Sequence, residues 1–474
     1  MSLTRKIAHN MIYQMLGRGG GGILALVGVA LITRYLGREG FGIYTTITAF
    51  LMFFGIIINF GLNTITVQMI SETDEKIEEK MGNILALRLI SSVIFLGLAP
   101  VISLFFPYPA VIKIGIALTS FAFLFQMLTE ILIGIFQKYL QTWKPAFAEF
   151  ASRVVFIVLV LLAIYFKMGI LAMMMALNLA NLAMFLLTLY YATKLIKIRL
   201  IFNWTEWTKI LKRAWPIGIS IILNLIYLKT DILILSVYKT QGEVGLYGAP
   251  YKLIDAITTF AMMFMGLVLP LLASAWAKQD KERFAKVFQK TFNLLIIIII
   301  PMVVGTYFIA EKLMVFISGA EFAPSGKILS ILVLGAGALF LGSLFAHSIV
   351  AIDRQRKIIW GYAIDAAISL AAYFIFIPKY SYIGAAWVTV FSEALIAAIS
   401  LWIIYKYAKV APKWIKIFAK SLAATVPMAL VLYFFRGLGA FALMAIAVGV
   451  YGFFIILFKG ITRNEVREIF KLKS

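Results

Sequence analysis

Residues 294–300 read Leu294-Leu295-Ile296-Ile297-Ile298-Ile299-Ile300. They do not alternate in polarity, so they are not a strand of an outer-membrane barrel, which runs for ~10 residues of alternating character. They sit within an apolar segment at about 290–310, the length a helix needs to cross ~30 Å of hydrocarbon. The same pattern recurs in both directions, separated by short polar breaks. The segments fall at about 11–33, 41–70, 82–105, 111–137, 146–166, 170–192, 214–238, 245–275, 290–310, 326–352, 358–377, 383–405, 415–435 and 440–458. The expectation is an all-α polytopic membrane protein with about fourteen transmembrane helices.

Composition agrees. Of 474 residues, 63% are hydrophobic and 14% charged, with a mean hydropathy of +0.98, whereas a soluble domain carries roughly a quarter charged residues. Cysteine is absent, which excludes disulfides and thiolate metal sites. Two histidines, His9 and His347, are too few and too scattered for a His-rich metal site. No cofactor or metal is expected. No nucleophile–base constellation or soluble carboxylate pair points to an enzyme.

The formal charge of +23 is mostly topological. An even number of spans puts both termini on one side. On that side fall 30 of the 44 Lys and Arg, against nine in the opposite loops and five within spans. By the positive-inside rule both termini are cytoplasmic, which implies a multi-pass protein of the plasma (inner) membrane. Nucleic-acid binding needs a basic face on a soluble module, and no loop is long enough to be one. Asn203-Trp204-Thr205 fits a glycosylation pattern but falls on the cytoplasmic side. Gly17-Arg18-Gly19-Gly20-Gly21-Gly22 satisfies a dinucleotide pattern but lies in a span, where close helix packing or a bend explains it better.

The loop at about 193–213, with six Lys and Arg, divides the chain. Gly40-Phe41-Gly42-Ile43-Tyr44 opens the second span, and Glu243-Val244-Gly245-Leu246-Tyr247 opens the eighth. The sixth span follows Lys167-Met168-Gly169 and the twelfth follows Tyr382-Ile383-Gly384. These correspondences suggest two six-helix repeats of equal orientation, at 1–200 and 201–408, and a terminal two-helix hairpin with its tail at 409–474.

Three features carry a family resemblance. One is Arg34-Tyr35-Leu36-Gly37-Arg38-Glu39-Gly40-Phe41-Gly42-Ile43-Tyr44 with Asn59-Phe60-Gly61-Leu62-Asn63; another is Thr230-Asp231 with Val244-Gly245-Leu246-Tyr247; the third is the order of spans. Together they resemble the multidrug/oligosaccharidyl-lipid/polysaccharide (MOP) flippase superfamily, in its polysaccharide-export branch typified by Wzx O-antigen flippases. The resemblance implies two six-helix lobes around a central cavity, alternating access, and a lipid-linked oligosaccharide as cargo. In the lipid II flippases of this superfamily the last two helices form a groove for the lipid tail, a role open to the hairpin here. Lipid II export and cation-coupled drug export are the alternatives within the superfamily. Polysaccharide polymerase or glycosyltransferase machinery would be natural partners.

Eleven ionisable residues lie inside spans: Arg18, Arg88, Glu130, Glu149, Arg153, Lys229, Asp231, Lys252, Asp255, Asp365 and Glu393. At ~2.5–3.5 kcal/mol each for a mid-bilayer charge, facing lipid would cost on the order of 30 kcal/mol in sum. Most must therefore face protein or water. Arg18, Arg88 and Lys229 have no partner on their own helix, which makes them the first candidates for diphosphate contacts; Arg suits that role by its planar fork. Arg153 and Lys252 are further candidates, although Glu149 and Asp255 stand at pairing distance along their helices. Arg18 and Arg88, ~10 Å deep, have a second reading as side chains snorkelling to the inner headgroups. Lys229 has one as partner of Asp231, Asp365 or Glu393. Asn59, Asn63, Asn224, Asp231 and Asp255 are the expected polar cavity lining. Glu130, Asp365 and Glu393 are candidates for ion coupling or simple counter-charges.

Overall fold

A computed structural model describes residues 3–72 and 76–460, and among them all side chains but those of 3–19, 220 and 224–228. The regular structure of those residues is helical throughout. In chain order the helices are α1 (Leu3–Asn59), α2 (Leu62–Glu72), α3 (Ile77–Ser103), α4 (Ala110–Lys138), α5 (Trp143–Tyr165), α6 (Ile170–Thr193) and α7 (Trp204–Tyr238), then α8 (Gln241–Ala277), α9 (Lys281–Ser318), α10 (Ser325–Ala351), α11 (Gln355–Ala408), α12 (Ile415–Phe434) and α13 (Ala440–Leu457).

Among the described residues, eleven helices are long and apolar enough to cross a membrane. The difference from the sequence reading has local causes. The break expected at 34–40 is a kink at Gly37 (φ 66°, ψ −174°) between two helices that follow each other directly, so the range Leu3–Asn59 covers two expected spans. The same happens in α11, broken only at Ser381 (φ 52°, ψ −139°). Conversely, the expected span 41–70 is interrupted by Phe60 (φ 35°) and Gly61 (φ 80°), which separate α1 from α2. Gly61 combines a left-handed φ with close backbone: a Cβ there would lie 3.0 Å from the Ala214 carbonyl oxygen. Both conditions favour glycine. Of the glycines in the 17–22 run, Gly20 lies against the Phe150 ring, a Cβ there being 3.7 Å from it, while added Cβ atoms on Gly21 and Gly22 would meet open space.

By compactness the chain forms two units, Met1–Gly248 and Ala249–Ser474. In the first, one apolar cluster gathers Met81, Ile84, Ile131, Phe136, Trp207 and Ile210, and a second gathers Phe50, Leu51, Ile112 and Ile116. In the second unit, Phe284, Phe288, Phe292 and Leu295 of α9 pack with Leu344, Phe345, Ile404 and Met428. Large apolar side chains such as Phe105, Tyr165, Phe260 and Val448 are 63–85% exposed, as helices bathed in lipid require.

The charged loop before α7 is not a loose linker. The Lys197 N–H donates to Glu78 at 3.0 Å, the Asn203 N–H to the Asn83 side chain at 3.1 Å, and Trp207 Nε1 to the Asn83 carbonyl at 3.1 Å. The Asn203 side chain in turn caps α7 by accepting from the N–H groups of Thr205 and Glu206. Its apparent glycosylation signature is thus a helix start signal.

Candidate functional site

The polar centre of the first unit is built on Arg88. Its guanidinium is fully buried. Nη2 donates to the side-chain oxygen of Asn63 and, at 3.4 Å, to that of Asn59. Asn63 then donates to Glu130 Oε2 at 2.9 Å, and Gln126 donates to the other Glu130 oxygen at 3.2 Å. Arg88 has no partner on its own helix, and this is where its partners come from: α1, α2 and α4. The break at Phe60–Gly61 lets Asn59 and Asn63, on separate helices, converge on one guanidinium. Asn59, Asn63 and Glu130 are half-buried. The surface of this cluster therefore presents amides and a carboxylate, with the cation behind them. The Arg88 Nε–H, buried, has no hydrogen-bond partner.

The other sequence candidates have surroundings of their own. Arg153 stands 3.9 Å from Glu149 along α5, with their side chains 40% and 34% exposed. Asp231 is fully buried and accepts from the Tyr247 hydroxyl at 2.6 Å and from the Ile232 N–H at 2.8 Å. Lys229 is half-buried two residues before it. Lys252 and Asp255 are half-buried on α8, in the second unit. The side chains of Arg18 and Asn224 lie outside the described residues. In the second unit, Asp365 is fully buried between the two arms of α11, accepting from Ser369 at 3.1 Å and Ser392 at 2.8 Å. Glu393, the neighbour of Ser392, is buried as well. The Tyr373 and Thr389 hydroxyls, 3.1 Å apart, tie the same arms nearer the Ser381 break.

Some partners were not singled out in the sequence. Gln126 was readable as an i, i+4 neighbour of Glu130. Ser369 stands four residues after Asp365, but Ser392 meets that carboxylate only because α11 folds back at Ser381. Tyr247 was visible as part of a repeat motif, not as the donor to Asp231.

The two repeat motifs meet inside the first unit. A Cβ on Gly42 would strike the Gln241 carbonyl, and one on Gly245 would strike that of Arg38. The Thr46 hydroxyl donates to Gln241 Oε1 at 2.7 Å. Glycine is needed here for proximity: the starts of the second and eighth sequence spans touch backbone to backbone.

This architecture has known relatives. The profile of a family described as "Polysaccharide biosynthesis protein" matches residues 7–276. The chain belongs to that family. It is similar to the succinoglycan biosynthesis transport protein ExoT of Rhizobium meliloti, 21% identical over 78% of this chain and 74% of that one. It also resembles the probable low-salt glycan biosynthesis flippase Agl15 of Haloferax volcanii, 22% identical, where the match spans 37% of this chain and 38% of the relative's length. Among solved structures, the lipid II flippase MurJ in an inward closed conformation superposes with a TM-score of 0.80, at 18% identity, over 94% of this chain and 98% of that one. A multidrug resistance MATE family transporter of the MOP superfamily gives 0.67, at 13% identity, over 84% and 94%. The chain is thus a multi-pass membrane protein of the polysaccharide biosynthesis family, with the fold seen in the MurJ and MATE structures.

Proposed function

We propose that this protein moves a polyprenyl-diphosphate-linked oligosaccharide from the inner to the outer leaflet of the plasma membrane by alternating access. The headgroup is the barrier, because its diphosphate and hydroxyls are costly to desolvate. The observation that carries the reading is the Arg88 cluster. Its half-buried members, Asn59, Asn63, Gln126 and Glu130, are groups that exchange hydrogen bonds with sugar hydroxyls. Arg88 behind them orients the amides and supplies the positive charge. Arg18, Arg153, Lys229 and Lys252 are the further cations available to the diphosphate. With the inside negative, moving an anion outward gains ~2.3 kcal/mol per charge per 100 mV.

In this reading both termini are cytoplasmic. The breaks at Gly37 and Ser381 each divide one long helix into two crossings, and α7 adds another, which makes fourteen. Residues 1–200 and 201–408 form two lobes around a central cavity, with α12 and α13 appended. The Gly42–Gly245 seam is the contact that must part when the cavity changes sides. Lipid II export is the second reading, favoured by the fold likeness to a lipid II flippase.

The test is translocation in proteoliposomes, comparing a polyprenyl-diphosphate oligosaccharide with lipid II. Asn63→Ala combined with Glu130→Gln should slow oligosaccharide flipping by about tenfold or more, the loss of two hydrogen-bonding groups. Undiminished flipping overturns the assignment of the site. Faster transport of lipid II than of any oligosaccharide lipid favours the second reading.

A further inference from the structure

Aromatic rings at one end of the α5–α6 pair, and at the two ends of α11, hold cations in the same pattern. At the start of α5, the Lys144 ammonium lies 5.7 Å from the centre of the Tyr191 ring, near the end of α6, and 5.9 Å from that of Trp143. Lys194 lies 4.2 Å over the ring of Tyr190, four residues before it. At the start of α11, the Arg354 guanidinium lies 5.1 Å from the Tyr407 ring, near the end of the same helix, which returns after the break at Ser381. Lys409 lies 5.9 Å from the ring of Tyr405, again four residues before it. Lys406 joins them, 5.0 Å from Trp402 and 5.7 Å from Tyr407. In both places the second tyrosine is half-buried and followed by a buried alanine, Ala192 or Ala408, while the first is more than half exposed. The positions correspond in the expected repeats: α5 and α6 are the fifth and sixth spans, and the arms of α11 are the eleventh and twelfth.

Helix electrostatics accounts for only part of each cluster. Lys194 and Lys409 follow the last turn of a helix, where the dipole favours a cation. Lys144 and Arg354 stand at a helix start, where it favours an anion. Arg354 and Lys406 bring two like charges to one ring. Among the described residues, these five cations form no ion pair. Cations elsewhere in the first unit do find acids: Lys80 and Arg213 meet Glu72, and Lys209 meets Glu206.

The rings indicate where the missing counter-charge lies. Trp143, Tyr190, Trp402 and Tyr405 are 44–59% exposed, and Trp and Tyr at the ends of membrane helices sit at headgroup level. The anion found at that level is a lipid phosphate, and basic pockets between helix ends are places where such headgroups bind. The ring faces already hold ammonium or guanidinium groups, so they are closed to the quaternary ammonium of a choline headgroup.

We propose that the two clusters are repeat-related binding sites for the phosphate of an anionic phospholipid in the cytoplasmic leaflet, one at Lys144, Tyr190, Tyr191 and Lys194, the other at Arg354, Lys406, Tyr407 and Lys409. The leaflet rests on the topology under Proposed function. The sites themselves do not.

Native mass spectrometry of the full-length protein in detergent, with phosphatidylglycerol and phosphatidylcholine titrated in parallel, tests the sites. Two phosphatidylglycerol molecules should be held in preference to phosphatidylcholine. Lys144→Gln with Lys194→Gln should remove one and Arg354→Gln with Lys406→Gln the other, each by an affinity loss of about tenfold or more. Lys209→Gln with Lys212→Gln removes the same charge elsewhere and should keep both lipids. Equal retention of the two lipids by the wild-type protein, or an equal loss in the Lys209/Lys212 variant, overturns the sites. Displacement of the lipid by inorganic phosphate at equal concentration overturns the lipid assignment in favour of a bare anion site. Should a double variant fail to fold, Lys194→Gln and Arg354→Gln alone decide, each expected to weaken one lipid by about threefold or more. The chain has no cysteine, so Gln355→Cys supplies a single thiol for the leaflet. A membrane-impermeant maleimide should leave it unlabelled in intact cells; labelling overturns the cytoplasmic leaflet and the topology together, while the lipid count still decides the sites.

Discussion

Each unit buries a charge, and the two are handled differently. In the first, Arg88 is met by the amides of Asn59 and Asn63 from two other helices, with Glu130 one hydrogen bond further out. In the second, Asp365 is enclosed by the hydroxyls of Ser369 and Ser392. A guanidinium only donates, and it keeps its charge. Its surroundings must be acceptors, so Asn59 and Asn63 are held with their oxygens inward. A serine hydroxyl donates or accepts by turning. The Asp365 pocket therefore satisfies either a carboxylate or a neutral group of the same shape. The first centre is fixed in polarity, and the second can change without moving a helix.

That contrast sets the order of expected effects. Arg88→Leu should be the most damaging change, since it strands two inward-facing amides and the carboxylate they lead to. Removing one partner of a buried charge network costs about 3–5 kcal/mol. The measurement is Tm of the purified protein together with flipping rate, both expected to fall steeply. Arg88→Lys should recover part of the loss, because an ammonium retains the charge but lacks the reach and fixed geometry with which Nη2 meets both Asn59 and Asn63. A stable, active Arg88→Leu protein would erase the distinction between the units.

Asp365→Asn should be much milder. The amide oxygen accepts from one serine and its NH2 donates to the other, so the expected change in stability is within about 1 kcal/mol. Asp365→Leu, which strands both hydroxyls in a buried site, should cost about 1–3 kcal/mol. If transport stops in Asp365→Asn while stability holds, the charge at 365 is used by the transport cycle and not by the fold. That outcome would support ion coupling at this position.

The legibility of the two centres in the sequence differed for a physical reason. Hydropathy exposed the helices, because a membrane segment has to be apolar over most of its length. It also exposed the charges that break that rule. Arg88 was readable as a cation with no neighbour of opposite sign along its helix. Its partners were not readable as partners, since they arrive through the break at Phe60–Gly61 and through α4. The same holds for Asp365 and Ser392: the break between the expected spans 358–377 and 383–405 was legible and Ser381 falls in it, but a break does not tell which side chains of the two arms will meet.

The smallest effect should come from the Arg153–Glu149 pair, and it is informative because it isolates exposure from charge. Like Arg88, Arg153 belongs to the first unit, and seven residues of helix rise set it ~10 Å into the expected span 146–166. Unlike Arg88, it stands in the open, 3.9 Å from its partner, with 40% of its side chain exposed. If water fills the space in front of α5, the pair behaves as a surface ion pair worth at most about 1 kcal/mol. A double-mutant cycle of Arg153→Gln and Glu149→Gln should then give a coupling of roughly 0.5 kcal/mol that fades with added salt. Acyl chains in front of α5 would do the opposite. Low-dielectric surroundings strengthen the attraction and make either single mutant far worse than the double, with no response to salt. The first result places a hydrated surface at the depth where a glycan headgroup must travel; the second removes Arg153 from the cargo's path.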